Sequence, residues 1–334
     1  MILNMIIFLN RIMVKLSLAK SLLIWLLLAT LSFSPLATAS PKPPIMIPLL
    51  DWSSQRVVVK AIGLYFTEHK YPVIYKTMTS NRLWGSLARG NVYFHTNVWQ
   101  ASGGKKLQSM LEKKRIIDMG NHSAQTMEEW WYPLYVEKHC PGLPDWGALL
   151  QCSHIFAPSD DTKGVYNVGP WQYNDADLIR SLGLNFHIKE YQNYNQIWKK
   201  LERAIARQQP ILLLNWTPNW TDQRIPGRFI EFPLFHPKCE TQASWGINPE
   251  LKYDCGNIRN GWIKKVAWNG LEQTAPCIFK FIGNMDLTNP MIAEASALVD
   301  YDKKSEDLAA ILWLEKYRSK FRTWTAKGCF NTAS

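Results

Sequence analysis

The chain has 334 residues, with 38 Lys and Arg against 27 Asp and Glu, a formal charge of +11 and 16 tryptophans. That length accommodates two lobes with separate cores, and the scattered basic residues argue against a nucleic-acid surface. The chain contains no G-x-S-x-G, H-E-x-x-H, Walker loop or G-x-G-x-x-G, and its seven histidines stand at no metal-ligand spacing, so neither an enzyme nor a cofactor- or metal-dependent protein is expected.

Residues 1–39 read as a cleavable secretory signal. Arg11, Lys15 and Lys20 precede the apolar run Leu22 to Ala29, with Ala37-Thr38-Ala39 as the cleavage-like site. The run before Pro35 is short for a membrane span, and no cysteine lies near the cleavage point to carry a lipid, so a free periplasmic protein is expected. The Pro-rich segment 39–44 then leads into an alternation of strand-like and helix-like stretches. Ile45 to Leu50 reads as a strand, Val57 to His69 as a helix, Pro72 to Tyr75 as a strand, Leu83 to Ala88 as a helix and Tyr93 to Val98 as a strand. This βαβαβ order predicts an α/β fold with a parallel sheet. Further on, Trp131 to Val136 reads as extended, Ala176 to Leu182 and Gln196 to Arg207 as helices, and Ile211 to Leu214, Arg228 to Phe232 and Ile263 to Ala267 as strands. A last helix runs from Leu308 to Trp324, with Leu308, Ile311 and Leu312 at helical spacing and Trp313 on the buried side.

All six cysteines follow the signal, and export makes disulfides the expectation. Sequence proximity favours Cys140 with Cys152 and Cys239 with Cys255, which leaves Cys277 with Cys329.

The tryptophans divide by context. Trp99, Trp171 and Trp216 follow strand-like runs at polar turns, where open α/β sheets bind ligands. Indole faces there suit a cation that cannot donate hydrogen bonds, so a quaternary ammonium ligand is expected. Trp84, Trp198, Trp268, Trp313 and Trp324 have core settings, Trp146 and Trp245 lie in the disulfide loops, and Trp220 is expected to support Trp216. His95 and His187 read as surface or core residues. The adjacent pairs Glu128-Glu129 and Asp160-Asp161 read as divergent and solvated. Ser53 and Ser54 are good helix caps, placing the backbone N–H groups of Ser54 and Gln55 at a helix N-terminus where a carboxylate can bind.

Four segments in collinear order carry a family resemblance. They are "YPVIYKTMTSNRLWGSLARGNVYFHTNVW" from Tyr71 to Trp99, "NWTPNW" from Asn215, "KCETQASWGINPELKYDCGNIRNGWIKKVAW" and "MIAEASALVDYDKKSEDLAAILWLEKYRSKFRTW". Together they resemble the glycine betaine, choline and proline-betaine substrate-binding proteins of ABC importers. The resemblance implies a two-lobed periplasmic-binding-protein fold of type II that closes on its ligand, a monomer that delivers to a membrane permease. We place lobe one at residues 45–120 and 261–334, and lobe two at 121–260. The implied aromatic cage is Trp99, Trp171 and Trp216, joined by Trp52, with Trp130 a further candidate. The implied carboxylate anchors are the Ser54 and Gln55 amides and Asn219, which stands where relatives often have histidine; Gln100 is a further donor. Choline-specific relatives place an acidic residue two positions after the Trp52 equivalent, and this chain has none there. That departure favours glycine betaine, ahead of choline or carnitine. A sensory receptor on the same fold and an exported enzyme acting on methylated amines are the rival readings.

Overall fold

The structure is a computed structural model that describes residues 42–159, 161–171 and 173–330; the expected signal segment and Asp160 lie outside the described residues. In chain order the elements are β1 (Ile45–Leu49), α1 (Ser53–Glu68), β2 (Val73–Thr77), α2 (Ser80–Ala88), β3 (Phe94–Trp99), α3 (Gln100–Glu112) and β4 (Ile116–Pro133). After two short 3₁₀ turns come α4 (Leu149–Cys152), a third such turn, β5 (Gly164–Val168), α5 (Asp175–Ser181), β6 (Phe186–Glu190), α6 (Tyr194–Ala206), β7 (Leu212–Thr217), α7 (Thr221–Arg224), β8 (Gly227–Phe229) and α8 (Pro237–Thr241). The chain ends with β9 (Gly261–Trp268), α9 (Leu271–Thr274), α10 (Pro276–Asn284), α11 (Asn289–Asp300) and α12 (Glu306–Trp324).

The 18-residue strand β4 organises the molecule. From Ile116 to Thr126 it pairs antiparallel with β9, and from Met127 to Trp131 it pairs antiparallel with β7. The sheet order is β3-β9-β4-β7-β5-β6, with β8 also on β4. Thr126 stands opposite Gly261, where the chain re-enters the first half. A Cβ at Gly261 would lie 2.6 Å from Thr126 Oγ1, so only glycine lets the two crossing strands approach at this point.

The all-parallel expectation needs correction. β1 pairs parallel with β2, and β5 pairs parallel with β6 and β7. β3, however, pairs antiparallel with β9, because β9 returns from the other half and inserts between β3 and β4. The apolar core falls into separate clusters. In the first, α1, α10, α11 and α12 bury Phe66, Phe281, Trp313 and Phe321, and the cluster also takes in Trp198, Leu201, Leu213 and Trp216. In the second, Trp130 stacks on Tyr166 at 3.9 Å among Phe186, Leu212, Leu214 and Phe232. Along α12 the apolar residues split between two faces. Ala309, Ala310, Trp313 and Leu314 face inward, whereas Leu308, Ile311 and Leu312 are exposed. The three disulfides are Cys140–Cys152, Cys239–Cys255 and Cys277–Cys329, and the last ties the C-terminal segment to α10. Among the described residues no helix is long and apolar enough to cross a membrane.

Candidate functional site: an aromatic cavity with a buried carboxyl

A cavity of about 690 Å³ opens where strand ends of the two halves meet. Trp52 reaches it as the extended residue that caps α1, just beyond β1. On β3, His95, Asn97 and Trp99 all line it, as side chains two apart on a strand share a face. Trp171 follows the end of β5, its ring folded back over Gly169, where a Cβ would clash with it. Trp216 arrives on β7 and meets Trp171 edge to face at 5.1 Å and 81°. Behind Trp216 the rings continue, with Trp198 5.4 Å from it and Trp220 5.4 Å from Trp198. This buttress holds the Trp216 plane in one orientation.

Glu128 is the chemical centre of the cavity. It stands directly opposite Trp216 in the β4–β7 register, so the two side chains are neighbours on the sheet. Only 5 % of Glu128 is exposed. Its Oε1 accepts from Tyr173 Oη at 2.6 Å and its Oε2 from Ser102 N at 3.3 Å. Burial pushes the carboxyl above the ordinary carboxylate range, and the Tyr173 and Ser102 hydrogen bonds offset this only in part. Burial likewise holds the His95 imidazole neutral, down to about 3. The Nε1 atoms of Trp52 and Trp99, Nδ1 of His95 and Nδ2 of Asn97 are buried without partners among the described residues. Asp51, also at the wall, is occupied: its Oδ2 accepts from Ser80 N and Oγ at 2.9 and 2.7 Å, capping α2.

Of the sequence candidates, Trp52, Trp99, Trp171 and Trp216 line this one cavity. The others are engaged elsewhere. Gln55 is fully buried and braces the β1–α1 turn, its Oε1 accepting from Leu50 N and its Nε2 donating to the Pro48 carbonyl. Ser54 is buried beside it and does not reach the cavity. Asn219 donates to Asn215 Oδ1 and accepts from Trp220 N, so it organises the turn after β7. Gln100 accepts from Trp262 N, fastening α3 to β9. Trp130 lies in the second core and donates to Asp175. The side chains of Gln55 and Asn219 are therefore engaged in turns, whereas the anchor expected from the backbone N–H groups of Ser54 and Gln55, at the start of α1, does not depend on those side chains.

Three residues were read differently from the sequence, and a fourth was passed over. Trp84 lines the cavity rather than only filling the core. Glu128 and Glu129 diverge as expected, but both are buried rather than solvated; Glu129 accepts from Trp130 N and Asn257 N. Tyr173 drew no attention in the sequence. A carboxylate inside an aromatic strand, Glu128-Glu129-Trp130-Trp131-Tyr132, was the available signal for Glu128, since buried acids without a purpose are rare.

Residues 43–316 match the family described as the substrate binding domain of ABC-type glycine betaine transport systems. The chain is 32% identical over 319 residues, 91% of this chain and 98% of the relative, to the trimethylamine N-oxide-binding protein of Pelagibacter ubique (strain HTCC1062). Its fold is similar to the glycine betaine/L-proline-binding protein ProX of Borrelia burgdorferi, with a TM-score of 0.67 at 17% identity, covering 85% of this chain and 97% of that one. It is also similar to lactococcal OpuAC in its closed, glycine betaine-bound form, with a TM-score of 0.62 at 14% identity, covering 85% of this chain and all of that one.

Proposed function

We propose that this chain, a member of the family of substrate-binding domains of ABC-type glycine betaine transport systems, captures trimethylamine N-oxide. At the coarser level it is a non-enzymatic, extracytoplasmic binding component of a quaternary ammonium importer, and it hands its cargo to the permease. The α/β fold is that of type II periplasmic binding proteins.

The observation that carries the reading is Glu128 beside Trp216 inside the cavity. Trp52 and Trp99 from the first half, with Trp171 and Trp216 from the second, surround the methylated nitrogen. A single cation–π contact contributes about 0.5–2 kcal/mol, and micromolar binding needs about −8 kcal/mol, so several rings and a polar anchor act together. A buried carboxyl whose pKa is raised is a hydrogen-bond donor in its protonated form, and the oxygen of an N-oxide is a compact, strong acceptor. For a betaine carboxylate the cavity lining offers Lys106 on α3, whereas the oxygen of an N-oxide is met by Glu128 itself. The relative that binds trimethylamine N-oxide supports the same choice over glycine betaine.

Calorimetric titration with trimethylamine N-oxide, glycine betaine and choline tests the assignment, and the N-oxide is expected to bind tightest. Glu128→Ala should weaken it by about 10- to 100-fold, the range of a hydrogen bond to a charged group, while Glu128→Gln keeps a donor and most of the affinity. The pH dependence has a definite sign. Protonated Glu128 is the donor, so N-oxide affinity falls as pH rises through the raised Glu128 pKa, whereas choline, a cation, gains from the ionised form. Glycine betaine binding as tightly as the N-oxide, or N-oxide affinity that rises with pH, would overturn the assignment.

A further inference from the structure

Between α11 and α12 the chain makes contacts that neither the cage nor the sheet requires. Asp300, at the end of α11, is buried, and its Oδ2 accepts from Ser53 Oγ at 2.5 Å. Ser53 is the first residue of α1, next to Trp52 in the cavity wall. Over the next three residues the chain grips the other half of the molecule. Lys303 Nζ lies 2.5 Å from Glu202 Oε1 on α6 and 2.5 Å from the Asp300 carbonyl. The Arg224 guanidinium on α7 lies 5.0 Å over the Tyr301 ring and 4.0 Å from Asp302. The Tyr301 ring is 6.0 Å from Trp220, the far end of the indole row that begins at Trp216. Lys303 adopts φ +57°, a conformation that non-glycine residues hold only when surrounding contacts fix it.

We propose that residues 300–303 form a strap across the two lobes that holds the closed arrangement and positions Trp52, so that it sets ligand affinity without touching ligand. The proposal rests on the reading of the cavity as a cleft that closes on its solute. Three contacts of different chemistry converge on one short segment: an ion pair to α6, a cation–π and ion contact to α7, and an aromatic contact to the Trp216 buttress. All three join elements that move relative to each other if the lobes separate, whereas the Asp300–Ser53 bond stays within the first half. The strap therefore pulls on the second lobe and is anchored beside the cage wall of the first. A ligand that favours the closed form is aided by anything else that favours it, in proportion to the change in closed population.

The test is charge reversal with rescue. Lys303→Glu should weaken every solute the cage accepts by one common factor, about 3- to 30-fold, leaving their rank order and the pH profile of binding unchanged. Adding Glu202→Lys should restore affinity, which loss of packing alone would not do. X-ray scattering of the same proteins, with and without trimethylamine N-oxide, should show Lys303→Glu to be less compact and the double variant to return to wild-type dimensions. Ser53→Ala should weaken binding and alter tryptophan emission with no change in compaction. If Lys303→Glu leaves both affinity and compaction at wild-type values, or if Glu202→Lys fails to restore them, the strap is refuted. If none of the three solutes binds the wild type yet compaction follows the charge swap, the strap stands and the ligand assignment falls.

Discussion

Trp171 and Trp216 make edge-to-face contact, yet they answer to different neighbours, and substitution should separate them. Trp171 is half-buried on a loop, so Trp171→Ala should cost about 10- to 30-fold in affinity, the upper range of a desolvated cation–π contact, with little change in melting temperature. Trp216 is only 8 % exposed and is wedged between Trp171 and Trp198. Trp216→Ala should abolish measurable binding and also lower stability by about 3–5 kcal/mol, as buried large-to-small changes do. Calorimetry and denaturant titration of both variants check this; equal stability losses would show that Trp171 is also structural. Glu128 illustrates why chemistry at this scale escapes a linear reading. Its neighbour Glu129 has the same charge and similar burial, and only the β4–β7 register decides which of the two meets Trp216.

At the scale of elements, β4 and the C-terminal helices carry different loads. β4 serves both halves, and its partner changes between Thr126 and Met127. We propose that the lobe boundary follows this switch and the return at Gly261, close to the division at 120/121 and 260/261 expected from sequence. Cys277–Cys329 closes a segment with a sequence separation of 52, spanning α11 and α12. Replacing both cysteines by serine should lower stability by about 2–4 kcal/mol. Because the bond lies away from the cavity, solute affinity should hold. Denaturant unfolding with parallel titration tests this, and lost affinity would show that the C-terminal segment shapes the cage. The outward stripe of Leu308, Ile311 and Leu312 on α12 shows the limit of periodicity at this scale. Helical spacing identifies a helix, but where small residues such as Ala309 and Ala310 take the inward face, the larger apolar side chains are left outside.

Over the whole molecule, the buried titratable groups make stability depend on pH with opposing signs. Burial raises Glu129 to about 8, Asp300 to about 7 and Asp175 to about 6. For a group raised in the fold, stability is fully present below the unfolded pKa and is lost as pH rises through the folded value. His95 and His122 are held at about 3 by burial, so their contribution is present above the ordinary 6.5 and lost as pH falls. His122 accepts from Leu287 N at Nδ1 and lies 2.8 Å from the Thr96 carbonyl through Nε2, which suits the neutral ring. Lys265, lowered by burial, opposes the carboxyls from the alkaline side. Between about pH 8 and 6.5 the raised carboxyls dominate, and the melting temperature of the ligand-free protein should climb as pH is lowered through this interval. A midpoint that falls instead would mean that these carboxyls are ionised in the fold.

What the sequence determined by itself was periodic or local. Apolar alternation and helical spacing located most of the strands and helices, proximity paired Cys140 with Cys152 and Cys239 with Cys255, and the strand-end setting singled out Trp99, Trp171 and Trp216. Collinear segments then pointed to the family. Tertiary structure alone decided that β9 inserts beside β3, that Glu128 faces the cage, and that the side chains of Gln55 and Asn219 are committed to turns. Side-chain type and short-range spacing are properties of the chain, so they can be read along it. Register between β4 and β7, and the competition of buried polar groups for partners, exist only when distant segments meet, so the identity of the polar anchor, and with it the proposed ligand, had to wait for the fold.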